Sequence, residues 1–223
     1  MDTILIHVNP AIDWQNRYAE ALKKGFALLG KEATVTHNPK DKGFFNILLG
    51  PNWAADYHFF GLMLDRAYWG DPNAVAVHWY RNGQKVFHWH GRAGRYHPEL
   101  KPLKTGKRSV LFQDYKTHFK PAFTVDTVRF HPSEYPSKET LSECLERHEV
   151  AYGGKSTVLV DAAINGLFVK SLVENSPVEI ISGFLIPDRV NWIKSLSWHN
   201  WTIDEIARGE LWNYFYHGFI KSL

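Results

Sequence analysis

Cysteine is almost missing: Cys144 is the only one in 223 residues, which excludes an internal disulfide framework and points to a reducing compartment. A long hydrophobic run is missing too. No stretch approaches the ~18–20 apolar residues of a spanning helix, and the opening MDTILIHVNP carries neither a basic leader nor a signal-peptide core. No membrane span is therefore expected, and the expected location is the cytoplasm. Charge of one sign is also scarce, with 26 Lys and Arg against 23 Asp and Glu and a formal net charge of +3. That balance tolerates a phosphate-bearing partner without requiring one. Repeats and low-complexity segments are absent. What is abundant is aromatic: 15% of the chain, including nine Trp. Core packing absorbs most such rings, and the remainder suit sites for sugars or bases. The length suits two compact lobes.

Hydrophobic patterning reads as α/β. The run 3–8 is β-branched and apolar, a buried strand that ends at Asn9-Pro10. Trp14–Leu29 then sets Tyr18, Ala21, Leu22, Phe26 and Leu29 at helical spacing, with Gly30 as C-cap. Strands follow at 33–37 and 44–49, and an apolar run covers 59–64. Segments 75–81 and 84–90 flank Asn82-Gly83, a strong hairpin signal. The stretch 91–108 is rich in Gly, Pro and basic residues and reads as an interlobe connection or mobile loop. The rhythm restarts with strands at 109–112 and 124–130. A helix capped by Ser137 follows, then a strand at 149–152, a helix ending at Asn165-Gly166, a strand at 167–173, and helices over 188–223. The expected lobes are 1–108 and 109–190, followed by C-terminal helices at 191–223.

Four constellations could carry chemistry. In the first, a glycine turn joins strand to helix at Gly153–Thr157. Its backbone amides, with Gly154, Lys155, Ser156 and Thr157, suit a diphosphate, and Asp161 one turn on suits ribose hydroxyls. Gly154-Lys155-Ser156 also looks like the end of a P-loop, but that motif needs glycine where Glu149 stands. An ordinary capped helix is the competing reading. The second is Arg129 and His131 at a strand end, able to neutralise a pyrophosphate leaving group. The third is the run Asp65-Arg66-Ala67-Tyr68-Trp69-Gly70-Asp71. It offers Asp65 and Asp71 as general bases and Arg66, Tyr68 and Trp69 as an acceptor platform. The fourth is His88 and His90, which share a strand face. No third ligand stands at telling spacing, and no metal is expected.

The order Arg129-x-His131-Pro132, helix, strand, Ser156-Thr157, Asp161-Ala162, Gly166 is similar to the nucleotide-binding half of GT-B glycosyltransferases, notably the capsule-polysaccharide and polyol-phosphate transferase types. The runs Leu64–Asp71 and Asn200–Ile206 with Gly209 resemble compact GT-B-like proteins of bacteriophages. The resemblance implies two Rossmann-like lobes facing across a cleft, with the C-terminal helices crossing back to the first. It implies a metal-independent glycosyltransferase with no cofactor, a nucleotide-sugar serving as co-substrate and a hydroxyl as acceptor. The favoured acceptor is a hydroxymethylated base in phage DNA, with the duplex as partner. Lys104, Lys107 and Arg108, with Arg92, Arg95 and Lys101, would follow its backbone, and Tyr68 and Trp69 would stack at an extruded base. The alternatives are a catalytically inactive nucleotide- or DNA-binding protein of that fold and a cell-surface polysaccharide transferase.

Overall fold

A computed structural model describes residues 3–50, 60–69, 73–81, 84–87, 94–183 and 187–219. The chain divides into two compact units, 1–86 with 199–223 and 87–198. The first division therefore falls at 86/87, where 108/109 was expected, and the second at 198/199 rather than 190/191.

In the first unit, β1 (Ile4–His7) leads into α1 (Asp13–Leu28), followed by β2 (Ala33–Thr36), β3 (Phe45–Leu49), β4 (Phe60–Arg66), β5 (Ala74–Arg81) and β6 (Gln84–Val86). β1 pairs in parallel with β2 and β3, and β3 in parallel with β4. β5 is antiparallel to β4 and β6. The sheet is thus parallel through its opening strands and mixed from β5 onward. Every residue of β1 and β3 is buried, as continuous apolar runs between parallel neighbours require. α1 turns Tyr18, Ala21, Leu22 and Phe26 inward, each worth up to ~1.5–3 kcal/mol for the larger side chains.

The chain returns to this unit at β11 (Asn200–Thr202), which pairs antiparallel with β5. α5 (Ile203–Ala207) and α6 (Glu210–Phe219) follow. Helices alone were expected here. A three-residue strand has no periodicity to read, and only its pairing with β5 defines it. α1 packs against α5 where Gly25 meets Gly209: a Cβ on Gly25 would stand 2.2 Å from the Ile206 carbonyl.

The second unit holds β7 (Ser109–Phe112), β8 (Thr127–Arg129), α2 (Leu141–Glu146), β9 (Val150–Gly153), α3 (Val158–Ile164), β10 (Phe168–Ser171) and α4 (Arg189–Ser197). Its strands are all parallel in the order β10-β9-β7-β8. The chain leaves β7 towards β8 on one side, and β9 lies on the other, so the carboxyl ends of β7 and β9 form a topological switch point, the usual ligand position in such sheets. Val110, Leu111, Ala151, Leu159, Val160 and Trp192 are buried beneath it.

Two local expectations are corrected. α2 is capped by Thr140, with a complete capping box to Glu143, whereas the Ser137 hydroxyl accepts from the Glu139 amide. The box satisfies two amides at once and so sets the boundary. The segment 94–108 is a packed strap of the second unit. Its Lys101 and Lys104 amides bond the Ile164 and Gly166 carbonyls, and the Arg108 carbonyl accepts from Glu149 and Val150. Gly166 has φ +88°, and a Cβ there would lie 2.1 Å from the Pro102 carbonyl. Among the described residues no helix is long and apolar enough to cross a membrane.

Candidate functional site

The register of the second sheet gathers three chemical groups in one row. Phe112 stands opposite Arg129, and the ladder continues through the Gln113 amide to the Arg129 carbonyl at 2.8 Å. Two residues past Phe112, the register carried on sets Asp114 level with His131, which acts on its carboxylate. On the other side Leu111 stands opposite Tyr152, which brings Asp114 level with Lys155. A direct contact joins them: the Lys155 amide donates to Asp114 Oδ2 at 3.1 Å. Asp114, His131 and Lys155 thus stand level at the carboxyl edge, at the switch point, where His131 and the Lys155 charge act on the Asp114 carboxylate.

The turn that presents Lys155 is built from both sides. The Ser176 hydroxyl, on a fully buried side chain, donates to the Gly154 carbonyl at 3.3 Å, and Ser171 Oγ lies 3.4 Å from the same oxygen. Because a trans peptide points its C=O and N–H in opposite directions, fixing that carbonyl aims the Lys155 amide at Asp114. Glycine is required at 154, where a Cβ would lie 2.1 Å from Asp114 Oδ2 and 2.5 Å from the Phe119 ring. Burial pushes the Asp114 carboxyl up from its ordinary value. The Lys155 amide, His131, the Ser156 amide and the Lys155 charge pull the other way, and the net shift is upward.

His131 Nδ1 accepts from the Ser133 amide at 3.2 Å, which leaves the neutral ring's proton on Nε2 as a donor. Its ring lies 5.3 Å from that of Tyr115, which is 52% exposed. Glu134 ties the two loops together by accepting from the Lys116 amide at 3.1 Å and approaching His118 at 3.5 Å. Lys116 itself takes a left-handed φ of +58°, a mild strain that the Glu134 bond holds in place. The Lys155 ammonium is exposed and forms no ion pair among the described residues.

The remaining expected site residues fare differently. Arg129 is turned away from the row: its guanidinium bonds the Glu139 carbonyl at 3.0 Å, the Thr140 carbonyl at 3.2 Å and the Glu139 carboxylate at 3.4 Å. It fastens the loop before α2. Ser156 Oγ accepts from the Val158 amide, and Thr157 is the N-cap of α3, its carbonyl accepting from Val160 and Asp161. Both residues serve the helix. Asp161 lies within α3 with no partner for its carboxylate among the described residues, and burial pushes it up to about 6. Lys104 is spent as a C-cap for α2, its ammonium bonding the Leu145, Glu146 and His148 carbonyls at 2.6, 2.7 and 3.2 Å. Its three hydrogens are therefore taken up and it makes no direct bond to a phosphate. Lys107 and Arg108 are exposed. Arg95 lies over the Trp198 ring at 5.7 Å.

In the first unit Asp65 has a donor on each carboxylate oxygen. Lys85 Nζ reaches its Oδ2 at 2.5 Å and the Arg66 amide its Oδ1 at 2.8 Å, a poor arrangement for a base that must take a proton. Tyr68 is buried. Its hydroxyl bonds His78 Nε2 at 2.8 Å and its amide the Asn200 side chain at 3.0 Å, so it cannot stack on an incoming ring. Trp69 is half-buried and Arg66 exposed. Asp71, Arg92, His88, His90 and the Asn82-Gly83 turn lie outside the described residues. Among those described, no group of three metal-ligating side chains forms.

Asp114 is the member of the row that sequence reasoning missed. The available signal was an acid two residues past a short buried strand, a place where parallel sheets collect functional groups. Comparison with family models, with curated proteins and with solved structures finds no match to this chain.

Proposed function

We propose that the chain is a glycosyltransferase of the GT-B type that takes a nucleotide-sugar at the carboxyl edge of the β10-β9-β7-β8 sheet and passes its sugar to a hydroxyl acceptor. The observation that carries the proposal is the row Asp114, His131 and Lys155 at the switch point. Sugar transfer from a nucleotide leaves a diphosphate whose growing negative charge needs fixed donors. Lys155 brings an unpaired ammonium and His131 an Nε2–H. The reaction breaks the anomeric carbon–oxygen bond to the diphosphate, forms one to the acceptor oxygen, and returns the acceptor's proton to a base. For the acceptor we retain a hydroxymethylated base in DNA. In the basic strap the support comes from exposed Lys107 and Arg108, without Lys104. Reversing both charges should abolish low-salt DNA binding.

Calorimetry with UDP-, GDP-, ADP- and CDP-linked sugars tests the donor. Lys155→Ala and His131→Ala should each weaken binding by about 1.5–3 kcal/mol, the range for a lost charged hydrogen bond. Arg129→Ala should lower thermal stability and spare affinity. A wild-type protein that binds none of these donors ends the proposal. A second reading, a nucleotide-binding protein without transfer, draws on the ion pair that Asp65 makes with Lys85. Donor binding without any product in mass spectra of incubated acceptors would favour it.

A further inference from the structure

The two oxygens of Asp114 are in unlike states. Oδ2 accepts from the Lys155 amide, while Oδ1 is buried and has no hydrogen-bond partner. An unsatisfied buried acceptor costs about 1–3 kcal/mol, more when charged. Native proteins keep few such groups, and each calls for an explanation. Nearby donors act on this carboxylate without bonding Oδ1: the Ser156 amide, His131 and the Lys155 charge all favour its ionised form, yet Oδ1 has no hydrogen-bond partner. The Lys155 amide is already committed to Oδ2, the Gly154 peptide is fixed from behind by Ser176, and the Gln113 side chain is taken up at both ends by Phe119. What is wanted at this position is a hydrogen from outside the chain.

We propose that Asp114 is a specificity-determining residue of the donor site, its Oδ1 accepting a hydrogen bond from a hydroxyl group of the bound nucleotide-sugar. The inference rests on the reading given under Proposed function. A phosphate oxygen at neutral pH is an acceptor and cannot satisfy Oδ1. A hydroxyl carries one hydrogen and can, whether it belongs to the ribose or to the transferred sugar. The row then sorts the ligand by chemistry: Lys155 and His131 take the charged oxygens and Asp114 takes a hydroxyl. The ribose role expected for Asp161 passes to Asp114, because Asp161 stands on α3 outside the row. Phe119, whose ring abuts Gly154, lies at the same turn.

The test is calorimetry on the full chain with whichever UDP-, GDP-, ADP- or CDP-linked glucose binds, its free nucleoside diphosphate, the 2′- and 3′-deoxy forms of that diphosphate, and inorganic pyrophosphate. Asp114→Asn should weaken the nucleotide-sugar about tenfold or more, as loss of a charge-assisted hydrogen bond does, and leave pyrophosphate unchanged. Asp161→Asn should leave both unchanged. If the hydroxyl is on the ribose, one deoxy diphosphate loses the same factor on the wild type and nothing further on the variant. If it is on the transferred sugar, the effect of Asp114→Asn disappears with the free diphosphate. Equal loss for pyrophosphate, tighter pyrophosphate binding by the variant, or an unchanged nucleotide-sugar affinity overturns the inference while the donor reading stands. A wild type that binds no nucleotide-sugar overturns both. Should Asp114→Asn fail to fold, Asp114→Ser makes the same comparison.

Discussion

Asp65 and Asp114 stand in similar places, one the penultimate residue of β4 in the first unit and the other two residues past β7 in the second. Their surroundings differ completely. Asp65 lies where an antiparallel neighbour and β6 bring Lys85 to its carboxylate, and the next amide takes its other oxygen. Asp114 lies where parallel strands end side by side, with one amide bond and one buried oxygen left over. A strand end nominates an acid. The donors that neighbouring strands deliver decide whether one of its oxygens is left without a partner.

The largest expected effect belongs to Asp161, another acid of the second unit without a partner. Its folded value is raised from 3.8 to about 6, so the folded protein keeps a proton that the unfolded chain has released. Stability must then fall as pH rises from about 4 to about 6, by on the order of 3 kcal/mol, and level off above. Thermal melts of the wild type and Asp161→Asn should converge at the acid end and separate at pH 8, the variant being the more stable. Parallel curves would sink the assignment. The difference between the two is the useful readout, because Asp126 and Glu143 are held low by their bonds to Ser109 and Thr140 and lose stability in the opposite direction, as pH falls.

Breaking the comparison from the other side, Lys85→Met would leave Asp65 partly buried and unpaired, at a cost of about 1–2 kcal/mol. Adding Asp65→Asn should restore most of it. If the double variant is no better than the single, the pair is not what holds this corner. Without ligand, Asp114→Asn should raise stability at pH 8 by about 1 kcal/mol, because an amide is cheaper to bury unsatisfied than a carboxylate. A drop would mean that Oδ1 already has a partner. The smallest effect separates two hydroxyls in one segment: Thr140→Ala should cost about 0.5–1 kcal/mol and Ser137→Ala almost nothing.

Much of the architecture was legible because it depends on short-range patterns. The strands at 3–8, 44–49 and 109–112, the helix after Trp14 and the glycine turn at 153–154 are all where patterning places them. The site was legible only in part. His131 and Lys155 stood out as donors after strands, and both lie in the row. Arg129 and Lys104 looked equally suitable, yet each is consumed by backbone carbonyls around α2. A cation in a sequence carries no mark of whether a ligand or a helix end will claim it. Tyr68 likewise looked like a platform and is a buried hydrogen-bonding partner of His78.

By itself the sequence determined which segments are apolar enough to become buried strands, where glycine and proline interrupt them, and that the chain would be α/β. Local sterics and burial act over a few residues, and those can be read in order. Register, the return of 199–219 to the first sheet, and the pairing of Asp114 with Lys155 across 41 residues were decided only in the tertiary structure. Such contacts depend on which strands lie side by side, and the hydrogen-bonding capacity of each polar group is settled only once its neighbours are in place.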